Sequence, residues 1–299
     1  MTGAPTRIRL VTGATLPDGD DETRLLATSL RGRGLSVDVA VWSDPAVAWG
    51  DTDLTVIRST WDYPEHLQAF LGWVDATAAV TDLHNPPALV AENIDKRYLI
   101  ALARAGVPVV PTRWMARPTG TSLVELADTE GWTDLVIKPA VGVDGNGVLR
   151  WRRGDLTGSG SPGSEHPFLP PRPQGWILQP FVRSVIDPGE RSVVMIDGRP
   201  AWAVTKRPTP DGGDIRVQER WGGSTRLASP DASADAVAER ALAALTLETP
   251  PLYARVDLLV WEGSWHVTEV ELVEPSLYFM GDTTRAQEFA TALASRLGR

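Results

Sequence analysis

The stretch LVIKPAVGVDGNGV, residues 135 to 148, limits what this chain can fold into more than any other segment. It reads as a buried strand that delivers Lys138, then Gly142, Gly145 and Gly147 within six residues, then a second strand-like run, VLRW. Glycines let a backbone approach a ligand closely and turn its N–H groups inward, as a phosphate cradle requires. A P-loop is excluded, because there the lysine follows the glycines and a helix begins at once. A dinucleotide-binding fingerprint fails because no helix follows. Two readings of this stretch remain: a phosphate cradle served by Lys138, or a β-hairpin with a glycine turn.

The rest of the chain narrows the partners. With 299 residues, 42% of them hydrophobic, two or three subdomains with substantial cores are expected. A net charge of −9 argues against a nucleic-acid or anionic-membrane surface, though one nucleotide can still bind locally. The absence of cysteine removes disulfides, thiolate catalysis and cysteine-bound zinc. His66, His84, His166 and His266 lie too far apart in sequence for a helical metal motif. The start, MTGAPTRIRLVTGA, lacks a long apolar signal core, and no run reaches the roughly 18 apolar residues of a membrane span. A cytoplasmic location is the expectation.

Of 29 basic residues only Lys96, Lys138 and Lys206 are lysines. Either an arginine-rich composition left three behind, or each sits where a slim, flexible ammonium cannot be replaced by a planar fork. All three fall beside other ligand-like features.

The first segment alternates strand and helix: IRLVTGA, a helix over 21–31, SVDVAVW, LTVIRS, then PEHLQAFLGWVDATAAV with Leu67, Phe70, Leu71 and Val74 on one helical face. That order predicts an α/β domain with a mostly parallel sheet. At its strand ends lies RSTWDY, where Arg58, Ser59 and Thr60 either hold a carboxylate or form a turn anchored by Trp61. NIDKRYLIALARAG predicts a helix from Asn93 to Gly106, and the Gly-, Ser- and Pro-rich residues 154–175 predict a loop. Strands WILQPFV, RSVVMI and PAWAVT, a helix near 231–244 and a closing helix from about Arg285 complete the pattern.

In ARVDLLVWEGSWHVTEVELVEPS, the strand carrying Asp257 should turn at Gly263 and pair with the strand carrying Glu269 and Glu271. Residues two apart face the same side, so three carboxylates can converge. Such crowding either recruits a hard cation such as magnesium or forms the acidic face of an exposed hairpin.

The order and spacing of these pieces resemble the ATP-grasp superfamily over essentially the whole chain. The resemblance implies an α/β fold class with α+β subdomains: an N-terminal domain over 1–90, a central subdomain with a glycine-rich flap over 91–178, and a C-terminal subdomain over 179–299, with ATP between the last two. It implies ATP phosphates held by Lys96, Lys138, Gly142, Gly145 and Gly147, adenine met by Gln179, Pro180, Phe181 and Val182, and a ribose hydroxyl met by Glu190. Lys206 and Arg207 would face the γ-phosphate and substrate carboxyl. Asp257, Glu269 and Glu271 would hold Mg2+, with Mn2+ as an alternative; many relatives have Asn at the last position.

Within the superfamily, VIRSTWDY, VIKPAVGVDGNGV, DIRVQERWGG and VELVEPSLYF are similar to D-cycloserine synthetases. That likeness implies an ATP-dependent cyclo-ligase acting on a small-molecule amino acid, with no nucleic-acid or membrane partner and a homodimer as candidate assembly. Arg58 would then recognise the substrate. Arg216, Gln218 and Trp221 in the segment Asp214–Gly223 either contact substrate or form a surface loop pinned by Trp221. An intermolecular amino acid or peptide ligase shares every ATP residue, and an ATP-binding regulatory module without catalysis is a third reading.

Overall fold

The structure is a computed structural model, and it describes residues 6–153, 172–209, 214–245 and 250–298. Most of the loop expected over 154–175 lies outside the described residues.

Near-continuous apolar runs in the first third form a parallel sheet, order β2-β1-β3-β4, from β1 (Arg7–Thr12), β2 (Ser36–Val41), β3 (Leu54–Ser59) and β4 (Asp82–His84). All of β3 is buried, as a parallel strand covered on both faces must be. Helix α1 (Asp21–Arg31) starts where the Asp20 carboxylate accepts from the Thr23 backbone N–H at 3.0 Å. Helix α2 (Leu67–Ala78) buries Phe70 and Val74. The closing helix, α7 (Thr283–Arg296), returns to this layer: Phe289 and Leu293 share one core with Ile8, Leu10, Leu26, Leu30, Leu54 and Val56. The ends of the chain therefore fold as one unit.

A second, antiparallel sheet has the order β5-β8-β6-β7, from β5 (Arg113–Met115), β6 (Asp134–Pro139), β7 (Leu149–Arg152) and β8 (Trp176–Pro180). Helix α5 (Gly120–Glu130) covers it through Leu123 and Ala127 against Leu135, Ile137, Trp151 and Trp176. Gln179 and Pro180 thus belong to the central sheet.

The third sheet, order β11-β10-β9-β12-β13, comprises β9 (Glu190–Ile196), β10 (Arg199–Arg207), β11 (Ser224–Leu227), β12 (Tyr253–Trp261) and β13 (Ser264–Glu271), with α6 (Ala232–Ala243) against it. Glu262 and Gly263, at φ 49° and 81°, make the tight turn between β12 and β13. Three sheets with helices agree with the expected α/β class.

One element differs from its sequence pattern. The helix expected from Asn93 to Gly106 starts late: α4 spans Tyr98–Arg104, and Asn93 instead ends the preceding helix, α3 (Pro87–Asn93). Tertiary hydrogen bonds override local propensity here. The Asn93 amide donates to the Val270 carbonyl and accepts from the Leu272 N–H, both at 2.8 Å. The Tyr98 hydroxyl donates to the Val270 carbonyl at 2.7 Å and accepts from its N–H at 2.8 Å. These side chains cap the outer edge of β13, which an edge strand requires. The break leaves Lys96 in a turn, where its backbone N–H donates to Ala140 at 2.8 Å.

Among the described residues no helix is long and apolar enough to cross a membrane.

Candidate active site

The strand ends of the second and third sheets enclose two adjoining cavities. The first is walled by Val110, Val136, Val148, Phe181, Val182 and Leu259, with Lys96 and Lys138 supplying cations and Gln179, Pro180 and Glu190 polar edges. The second opens toward the N-terminal layer between Glu22, Trp61, Tyr63, Arg255, Glu274 and Tyr278. Lys96, the loop from Gly142 to Asp144, Gln218, Glu269 and Glu271 line both, so these residues form the seam.

Lys96 reaches the seam from the break between α3 and α4, its Nζ donating to the Gly142 carbonyl at 2.6 Å and lying 3.2 Å from Glu269 Oε1. Lys138, at the end of β6, donates to the Thr268 carbonyl at 3.3 Å and stands 3.9 Å from Glu269 Oε2. Burial pulls the Lys138 pKa below the ordinary lysine value, against the attraction of Glu269. Glu269, although buried, is held below the usual carboxylate range by Lys96 and Lys138.

The glycine loop is shaped by close approach. Gly145, at φ 69°, would place a Cβ 2.7 Å from Gln218 Oε1; Gly147 is also left-handed at φ 73°. Gly142 has an ordinary φ and its contribution is the carbonyl on Lys96. The loop is tied to the segment that follows β10: Asp144 pairs with Arg220 Nε at 2.7 Å, and the Asp144 carbonyl accepts from Trp221 Nε1 at 3.1 Å. Arg216 lies 3.3 Å over the Trp221 ring and Arg220 4.7 Å from it. Arg216 and Gln218 wall the first cavity, while Trp221 ties the segment to the glycine loop. With loop and segment latched together the first cavity is about 130 Å³, and the second is about 680 Å³. A drug-sized ligand ordinarily needs about 300 Å³ or more, so a nucleotide would require this latch to part.

The acidic hairpin converges as its register predicts, Asp257 standing opposite Glu269. Its cations come from the protein. Asp257 accepts from Ser192 Oγ at 2.5 Å, from Arg255 Nε and Nη2 at 2.9 Å each and from Lys206 at 3.2 Å. Burial works against its charge, but Arg255 and Lys206 prevail and hold its pKa far below the usual range. Glu271 pairs with Arg255, yet burial pushes its pKa up to about 7. Among the described residues no group of three or more acidic or histidine side chains is arranged to hold a metal ion. Glu269 and Glu271 bring hard carboxylate oxygens to the seam, paired with Lys96, Lys138 and Arg255, and are the donors that could hold a metal ion there; Asp257 lines neither cavity.

Lys206, Arg207 and Arg58, which the resemblance assigned to phosphate and substrate, line neither cavity. Lys206 is 1% exposed and is held by Glu190 at 2.5 Å and Asp257 at 3.2 Å, beneath the cavity walls. Arg207 lies on the opposite face of β10, as strand alternation dictates, half-exposed and paired with Asp187 at 3.2 Å. Arg58 is buried against the Tyr253 and Phe289 rings, 3.5 Å from Glu22, with Nε and Nη1 unpartnered among the described residues. Ser59 and Thr60 are buried beside it, so RSTWDY is an anchored turn, with Trp61 Nε1 donating to the Glu274 carbonyl at 3.2 Å.

The sequence reading missed Arg255, Glu22 and Glu274. Arg255 was legible, because it lies two residues from Asp257 on the same strand face. Glu22 sits in an ordinary acidic first turn of α1, yet it receives the backbone N–H groups of Leu277 and Phe279, each at 2.8 Å. Only the tertiary fold reveals that.

Comparison with known proteins adds three findings. A family model described as the N-terminal domain of D-cycloserine synthetase DcsG matches residues 8–85. The cycloserine biosynthesis protein DcsG of Streptomyces lavendulae is 35% identical, covering 97% of this chain and 98% of the relative. The crystal structure of D-cycloserine synthetase DcsG superposes with a TM-score of 0.81 at 32% identity, covering 97% of this chain and 99% of that one. More distant structures share the fold alone: the ATP-grasp ligase PsnB with magnesium and ADP (17% identity, TM-score 0.63, 98% of each chain) and D-alanine–D-alanine ligase of Bacillus anthracis with ATP (15%, 0.61, 97% of this chain and 96% of that one). Sequence and fold together place this chain in the DcsG family of ATP-grasp ligases.

Proposed function

We propose that the protein is an ATP-dependent cyclo-ligase that converts O-ureido-D-serine to D-cycloserine. The observation that carries this reading is the seam: one set of residues, from Lys96 to Glu271, borders both an apolar cavity, which would take a nucleotide once the latch parts, and a larger one with room for an amino acid.

In this reading Val110, Phe181, Val182 and Leu259 flank the adenine, Gln179 to Val182 meet its edge, and Glu190 meets the ribose. Lys96 and Lys138 hold phosphate oxygens, with the glycine loop closing over them to exclude water. Glu269 and Glu271 would hold magnesium, with manganese able to substitute, and that ion would neutralise charge on the transferring phosphoryl group. Lys206 and Arg255 act from below, fixing Asp257, Glu190 and Glu271 in place; Arg58 fixes Glu22.

The substrate carboxylate takes the γ-phosphoryl group, giving an acyl phosphate and ADP. The substituted aminooxy nitrogen then attacks the carbonyl carbon, forming the ring C–N bond and expelling phosphate as the nitrogen loses its proton. Water removes the carbamoyl group as carbon dioxide and ammonia.

The test is ADP release with magnesium-ATP and O-ureido-D-serine as the sole co-substrate, with mass detection of the organic product. D-Cycloserine in step with ADP, without added amine, supports the reading. ADP release only when a separate amine is supplied moves the chain to the intermolecular ligases.

A further inference from the structure

Glu274 is the buried carboxylate at the cavities that the network leaves unmatched. It follows β13, is 7% exposed and lines the second cavity. No hydrogen bond or ion pair joins its side chain to another described residue; only its backbone carbonyl is engaged, by Trp61. Its neighbours differ. Glu22 has Arg58 and two backbone N–H groups, Glu269 has Lys96 and Lys138, Glu271 has Arg255, and Glu190 has Lys206. The cations at the second cavity are all engaged elsewhere: Lys96 by Glu269, Arg255 by Asp257 and Glu271, Arg220 by Asp144.

A buried carboxylate without a cation is unfavourable, and it persists where a ligand supplies the missing charge. We propose that Glu274 receives the α-ammonium group of the substrate, so that the second cavity selects amino acids over plain carboxylic acids. This rests on the amino-acid ligase reading above. The position suits the chemistry: in an α-amino acid the ammonium and the carboxylate share one carbon, and Glu274 shares a cavity wall with Glu269 and Glu271, where the carboxylate would be phosphorylated. Burial, reinforced by Glu271 and Glu269 and only partly offset by the more distant charges of Lys96 and Arg255, pushes the Glu274 pKa up to about 8, so the side chain is largely neutral until a cation arrives.

The test compares wild type with Glu274→Gln, which matches the neutral acid in shape, and with Glu274→Asp, which keeps a carboxylate. Thermal unfolding and ATP KM serve as fold controls. With O-ureido-D-serine, Glu274→Gln should raise KM roughly 10- to 100-fold, the range for a lost charged hydrogen bond, while leaving ATP KM unchanged, and Glu274→Asp should recover part of the loss. With the analogue lacking the α-amino group, wild type and Glu274→Gln should behave alike. An unchanged KM for the amino acid, or an equal loss on both substrates, overturns the assignment. If wild type does not turn over O-ureido-D-serine, the ligase reading fails separately. Calorimetric titration of D-serine against 3-hydroxypropanoate then decides on Glu274: D-serine binding by wild type but not Glu274→Gln supports it. Equal heats in the two proteins, or no D-serine binding by either, sinks it.

Discussion

Lys138 and Lys206 are both buried lysines at the end of a strand, and their surroundings could hardly differ more. Lys206 sits between Glu190 at 2.5 Å and Asp257 at 3.2 Å; burial disfavours its charge, but the two carboxylates overcome this and raise its pKa. Lys138 has one carboxylate at 3.9 Å and a carbonyl, and its pKa is lowered. Lys206 is neutralised by the protein and lines neither cavity; Lys138 is under-neutralised and lines the first. A cation left short of negative charge at a cavity wall has room for an anionic ligand, whereas one already balanced holds the fold together. A lysine's function thus follows from what its neighbours leave undone.

Substitutions can break that contrast. The largest effect is expected at Lys206→Met, which strips Asp257 and Glu190 of a buried partner. It should destabilise the protein by about 3–5 kcal/mol in denaturant unfolding, whatever it does to turnover. Lys138→Ala should instead lose about 100-fold or more in kcat/KM while its unfolding midpoint stays near wild type. If the two variants exchange these signatures, the contrast fails.

Glu274 sharpens the comparison through pH. Its folded pKa of about 8 lies above the ordinary 4.5, so the folded state binds more protons between those values. The stability it contributes is fully present below pH 4.5 and is lost as pH rises through about 8. Glu274→Gln removes this loss, so without ligand its Tm should exceed that of wild type increasingly from pH 5 to 8, by roughly 5 °C at the upper end. A constant difference across that range would count against a carboxyl held neutral by burial. The smallest effect is expected at Arg207→Ala: its partner Asp187 is exposed, and stability should shift by no more than about 0.5 kcal/mol.

Much of the architecture was legible because its signals are local. Strands alternating with helices pointed to the parallel layer, and the turn at Gly263 to the β12–β13 hairpin that brings Asp257 opposite Glu269. The glycine loop after Lys138 lies where its spacing implied. What escaped depends on contacts between distant segments. Asn93 and Tyr98 grip β13 and hold off the start of the helix expected from Asn93, and this places Lys96 in the turn between α3 and α4. Family resemblance put Lys206 and Arg207 at the γ-phosphate and substrate carboxyl together, although adjacent strand residues face opposite ways. Arg58, at the end of a strand, looked available to a carboxylate, but α1 and α7 cover it. Glu274 drew no attention because a lone acid after a strand is unremarkable until its neighbours are seen to be paired.

The central claim is that the nucleotide phosphates lie against Lys138 and not against Lys206. Calorimetric titration of magnesium-ATP into folded Lys138→Ala tests it most directly. The account predicts binding weaker by roughly 10- to 100-fold than wild type, with the apo unfolding midpoint preserved. Wild-type affinity in that variant would contradict it and leave the lysine before the glycine loop without its ligand.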